Sequence, residues 1–200
     1  MAPRQRFLLI AVVALAAIAI SAQVALSSPW LGLELSPHDG PEGLRVDRVH
    51  PDSPNAGVIR VGSVIVGLQA ADGRQIPLHG NLVMEEPDLL SHTDLNLFMK
   101  RQTELDQALR SGGARFVLAS GDQVPVVAID TPWRQLSGGF SIHTFYGLIA
   151  LLVAVGIWAF RPKSAATRLY ALSGVATMVN TLTLAIYGDR EFVLSGDVFE

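Results

Sequence analysis

The sequence predicts an α+β domain carried between transmembrane helices, three in all. Three observations lead there. Charged residues make up only 16% of the 200-residue chain and hydrophobic ones 50%, against about 25% charged in an average soluble domain. The apolar residues gather in three blocks, at 7–27, 140–160 and 169–187. Between the first two blocks lies a mixed segment, 28–132, long enough for one small domain with its own core.

The first block reads Phe7 to Leu26 with only Ser21 and Gln23 polar. At 1.5 Å per residue, about 20 residues span the ~30 Å hydrocarbon layer. Arg4 and Arg6 precede it, so residues 1–6 are expected in the cytoplasm and the next segment outside it. A cleaved signal peptide is the rival reading, with Ala25-Leu26-Ser27 as a weak cleavage site. The run exceeds the 7–15 residues of a typical signal core, which favours an uncleaved signal anchor. Either way the segment that follows is extracytoplasmic.

The second and third blocks flank a short basic loop, 161–168, carrying Arg161, Lys163 and Arg168. Such a loop is expected in the cytoplasm, and Pro162 marks the turn. The helices thus form a hairpin in the inner (cytoplasmic) membrane, with the linker 133–139 and the tail 188–200 outside. Ala150 and Ala154 supply a small-residue pair for helix packing. Thr177, Asn180, Thr181 and Leu184 are expected to share a face. Asn180 is an intramembrane amide, read either as a functional group or as an interhelical hydrogen bond.

The mixed segment opens with Leu31, Leu33 and Leu35 alternating with small or polar residues, a strand pattern. Asp39-Gly40-Pro41 signals a turn, and Leu44, Val46 and Val49 predict a second strand. Pro51-Asp52-Ser53-Pro54 breaks it. Val61-Gly62-Ser63 turns into the buried run Val64–Leu68, and Asp72-Gly73 forms a hairpin turn. A helix is expected over Ser91–Arg110, with Leu95, Phe98, Met99, Leu105 and Leu109 as its apolar stripe. Thr93 or Asp94 is its expected cap, and Gly112-Gly113 its end. Phe116–Leu118 and Val124–Ile129 predict two closing strands around Ser120-Gly121-Asp122. The insertion 78–90 carries Glu85, Glu86 and Asp88, read as solvated surface or as a metal or cation site.

Three stretches together resemble a bacterial PDZ domain: Gly43–Val49, Ser53-Pro54-Asn55-Ala56-Gly57, and Ile59-Arg60-Val61-Gly62-Ser63-Val64-Ile65. Ser63 stands where that family usually has Asp, Asp72-Gly73-Arg74 is similar to its hairpin, and Leu31-Gly32-Leu33 is similar to its carboxylate-binding loop. The resemblance implies a small, partly open β-barrel with helices over about Pro29 to Ile129. It also implies a groove that takes a peptide as an extra strand. Glycine in the loop lets the N–H groups of Gly32 and Leu33 approach a terminal carboxylate. Leu31, Gly32, Leu33 and Leu35 would form one side of the peptide site, and Leu95, Phe98 and Met99 the other.

Several chemistries have no residues to carry them. There is no cysteine, so disulfides, thiolate metal sites and cysteine nucleophiles are excluded. None of His38, His50, His79, His92 or His143 sits in a His-Glu-x-x-His pattern. There is no phosphate-binding glycine loop, and a net charge of −3 speaks against nucleic acid. Neither a cofactor, a metal nor a catalytic residue is expected.

The order of anchor helix, external domain and further helices resembles the input region of bacterial sensor histidine kinases. The strings Glu86-Pro87-Asp88-Leu89-Leu90, Phe98–Leu105 and Tyr187–Phe199 add to the likeness. It implies a sensory module of a two-component kinase, with the bilayer, an extracytoplasmic peptide or protein C-terminus, and a second copy as partners. The odd number of spans leaves the tail outside, so a longer parent protein is expected. The alternative is a standalone anchored module that binds peptides or assists a protease.

Overall fold

The computed structural model describes residues 3–38, 43–84 and 89–193. The expected turn at Asp39-Gly40-Pro41, the acidic residues Glu85, Glu86 and Asp88, and the tail beyond Val193 lie outside the described residues. Four α-helices are described: α1 (Pro3–Leu26), α2 (His92–Arg110), α3 (Gly138–Phe160) and α4 (Ala165–Gly188). The chain forms two compact units, one holding 1–26 and 133–189 and the other 27–132 and 190–200.

In the first unit, α1, α3 and α4 are each long and apolar enough to cross a membrane. α4 begins at Ala165 rather than near 169, so the basic loop shortens to 161–164. Ser164 holds the capping position, and Ala165 and Ala166 behind it favour helix. α3 and α4 pack through small residues. A Cβ on Gly174 would stand 3.1 Å from the Ala150 carbonyl oxygen, and one on Gly147 would stand 3.3 Å from Met178 Cα. Buried Ala154, Met178, Leu182 and Ala185 lie along this interface. Ala14 of α1 joins Leu151, Val155, Met178 and Leu182 in one apolar cluster.

The expected polar face of α4 divides. Thr181 is half-buried beside Gly147, while Thr177, Asn180 and Leu184 are exposed. Asn180 therefore does not bridge helices within this unit. The reason is geometric: Gly174, Met178 and Thr181 mark the closest approach to α3, and Asn180 points off that line.

In the second unit, eight strands are described: β1 (Pro29–Trp30), β2 (Leu33–Pro37), β3 (Leu44–Val49), β4 (Val64–Gln69), β5 (Gln75–Pro77), β6 (Arg115–Leu118), β7 (Gln123–Pro125) and β8 (Ile129–Asp130). An open antiparallel sheet runs β2-β3-β4-β6-β7, with β5 also on β4. The apolar run of β4 sits centrally, with Ile65 and Leu68 fully buried. Ile65 pairs with Leu44 and Leu68 with Phe116 across the sheet, and Leu44, Val46, Leu105 and Phe116 are also fully buried. The unit is thus α+β with an open sheet.

Three expectations are corrected. The strand expected through Leu31, Leu33 and Leu35 is broken at Gly32, whose φ of +72° is left-handed. Ser91, not Thr93 or Asp94, caps α2; its hydroxyl accepts the Asp94 N–H and donates to the Asp94 carboxylate. The strand expected over Val124–Ile129 ends at Pro125, and Ile129–Asp130 leaves the sheet to pair with Pro29–Trp30. That pairing, with the Thr131 hydroxyl donating to the Ser28 carbonyl, ties the two ends of the domain together. Within the insertion 78–90, Leu78 and Leu82 are fully buried, and the 3-10 turn Gly80–Val83 packs on β2.

Candidate functional site

Leu31-Gly32-Leu33 runs from the end of β1 into the first residue of β2. Its backbone carbonyls are fixed from behind. The Leu31 carbonyl accepts from the Ser53 hydroxyl at 2.6 Å and from Asn55 Nδ2 at 2.9 Å. The Gly32 carbonyl accepts the His50 N–H at 2.7 Å. Asn55 also exchanges two bonds with the backbone of Val127. A carbonyl locked inward leaves the neighbouring N–H groups facing the other way, and Gly32 supplies the left-handed turn that makes three of them converge. No larger residue fits: a Cβ there would stand 2.8 Å from Ser53 Cα.

The three N–H groups meet on one carboxylate, that of Glu191. Leu31 N–H donates to Oε2 at 2.7 Å, and Gly32 and Leu33 N–H donate to Oε1 at 2.6 and 2.9 Å. Bonds of this length to a charged acceptor are among the stronger kind. Burial pushes the Glu191 pKa up from 4.5 to about 7, while the three N–H bonds act in the opposite direction.

Neighbouring residues of the tail dock beside it. The Phe192 carbonyl accepts from Gln102 Nε2 of α2 at 2.9 Å, and Arg190 Nη2 donates to the Met84 carbonyl at 2.7 Å. Phe192 and Val193 are buried to 0% and 1% exposure. Gln102 is itself fully buried, one turn beyond Phe98. The outer edge of β2 has no strand partner among the described residues. The segment therefore enters by side chains and one carbonyl, not as an added strand.

Of the residues expected at the peptide site, Leu31, Gly32 and Leu33 come together on a carboxylate. Leu35, Leu95 and Met99 are half-buried on β2 and α2, and Phe98 is buried in α2. Sequence reasoning missed Ser53, Asn55, Gln102 and Glu191. Gln102 had left a mark, a polar residue between Phe98 and Leu105 on the apolar stripe. Glu191-Phe192-Val193 had left a fainter one, two large apolar residues directly after an acid in a polar tail.

α3 and α4, each long and apolar enough to cross a membrane, lie in sequence between Thr131 and Arg190. Comparison with family models, curated proteins and solved structures finds no match to this chain.

Proposed function

We propose that the chain is a membrane-embedded sensory module whose α+β unit is a PDZ-like, extracytoplasmic recognition domain. The observation that carries this is the convergence of the Leu31, Gly32 and Leu33 N–H groups on one carboxylate. A backbone nest of this kind recognises a carboxylate whatever chain it belongs to. The strand edge of β2 and the half-buried residues Leu35, Leu95 and Met99 supply the flanking surface.

The position of Glu191 favours a sensor over a simple peptide-capture module. It follows the last residue of α4, Gly188, by three residues. A ligand that changes how the loop is occupied would therefore act on the chain leaving a membrane helix, and a two-state element can be biased that way. An input region of a signalling kinase in the inner membrane is the role this fits.

Two measurements test the reading. Reporter fusions after Asp130 and after Glu200 should behave as extracytoplasmic, and one after Lys163 as cytoplasmic; cytoplasmic activity after Asp130 would overturn the placement. A display of peptides with free carboxyl ends should yield binders that lose affinity for a Gly32→Val chain. Binders indifferent to that change would remove the loop from the account.

A further inference from the structure

We propose that Arg190–Val193 is a tethered ligand of the Leu31–Leu33 loop, so that an external carboxylate-bearing chain binds only by displacing Glu191. The inference rests on the recognition role proposed above and adds the ligand class and its control. The ligand is a peptide segment that presents a carboxylate to the loop and a large apolar side chain beside α2.

Four observations from separate parts of the domain support it. One carboxylate takes all three loop N–H groups. The next residue, Phe192, is fully buried, and its carbonyl meets the buried amide of Gln102 on α2. The residue before, Arg190, donates to the Met84 carbonyl beyond the 3-10 turn. Among the described residues the outer edge of β2 has no strand partner. A carboxylate, an apolar group and a backbone carbonyl, each in its own niche, are what a bound peptide presents. Here the chain supplies them itself.

The tether explains why such a site would be switchable. A segment joined to its site by a few residues acts at an effective concentration in the millimolar range. A free peptide with the same contacts must exceed that, and its apparent affinity falls by the fraction of time the site is open. Conversely, seating an external carboxylate releases Arg190–Val193 and with it the chain that continues from Gly188. Both a side-chain carboxylate and a chain-terminal one satisfy the loop, and the probes below separate them.

The test uses the full chain in lipid nanodiscs and two fluorescent hexapeptides. One is Gly-Asp-Arg-Glu-Phe-Val with an amidated end, offering only the side-chain carboxylate. The other is Gly-Asp-Arg-Gln-Phe-Val with a free end, offering only the terminal one. The Glu191→Ala chain should bind at least one of them about tenfold or more tighter than the wild type. Adding Gly32→Val should abolish the gain, and Gln102→Ala alone should give a smaller gain of the same sign. Equal binding to wild type and Glu191→Ala, lost with Gly32→Val, would leave a peptide site but overturn the tether. No binding to either chain would overturn the tether as a ligand, and amide exchange at residues 31–33 then sorts the reason. Faster exchange in Glu191→Ala would make Glu191 a structural clasp and remove the recognition role as well. Unchanged exchange would show that Glu191 does not hold the loop.

Discussion

The two units of this protein pair their polar side chains in opposite ways. In the α+β unit, Ser53, Asn55 and Gln102 are buried and reach across to distant backbone, over 22 to 90 residues of sequence. In the membrane helices, Thr177, Thr181 and Thr183 bond carbonyls of their own helix, three or four residues back. The closest contacts between α3 and α4 are at glycine and alanine. Water explains the difference. Where the unfolded chain is hydrated, burial of apolar surface drives packing and a long-range polar bond can fix one loop geometry. In lipid that drive is gone, and close backbone approach carries the interface.

The comparison can be broken most forcefully at its two glycines. Gly32→Val places a β-branched side chain at left-handed φ against Ser53, and it should destabilise the α+β unit by about 3 kcal/mol. Thermal unfolding of the purified chain, followed by exchange of residues 31–33, measures this. Gly174→Leu should cost about 2 to 3 kcal/mol by overpacking the α3–α4 interface. It should lower cross-linking between cysteines placed on α3 and α4, while exchange in the α+β unit stays unchanged.

Polar contacts come next. Asn55→Ala removes bonds to Leu31 and Val127 and should cost about 2 kcal/mol by leaving buried backbone groups unpaired. It should also speed exchange at Leu31–Leu33 more than at β6. Acidity gives a further handle. The docked Glu191 has its pKa raised from 4.5 to about 7, so docking takes up a proton. Docking is then strongest below about pH 4.5 and weakens as pH rises through about 7. A loss of at least about tenfold across that range is expected, read as rising exchange of residues 31–33 at matched intrinsic rates. Glu191→Gln should flatten the profile. The smallest effect is at Asn180, exposed on α4. Asn180→Leu should change bundle stability by under about 0.5 kcal/mol, and a larger loss would mean the amide has a partner within the unit.

Local features of the sequence carried much of this architecture. The three spans follow from apolar length, and β4, the Asp72-Gly73 turn and α2 follow from period and turn chemistry. Gly32 stood out only through the likeness of Leu31-Gly32-Leu33 to a carboxylate-binding loop, since the alternation of leucines read as an unbroken strand. What stayed hidden was non-local. Ser53 and Asn55 lie in a stretch that reads as a turn, and only folding brings them behind Leu31. The pairing of Pro29–Trp30 with Ile129–Asp130 joins the ends of the domain and leaves no periodicity in strands of two residues. Glu191 is 160 residues from Leu31, and an acid after a membrane helix has no pattern that announces a partner. The α4 face was misjudged because its polar residues drew attention, whereas its glycine set the packing.

The account turns on whether Glu191 holds the loop, and amide hydrogen exchange in nanodiscs measures that directly. Exchange should be compared at Leu31, Gly32 and Leu33 in the wild type and in Glu191→Ala, with the β4 amides as reference. Protection at those three amides that falls about tenfold or more in the variant, with β4 unchanged, is the predicted result. Equal exchange in both chains would contradict the carboxylate contact and the account built on it.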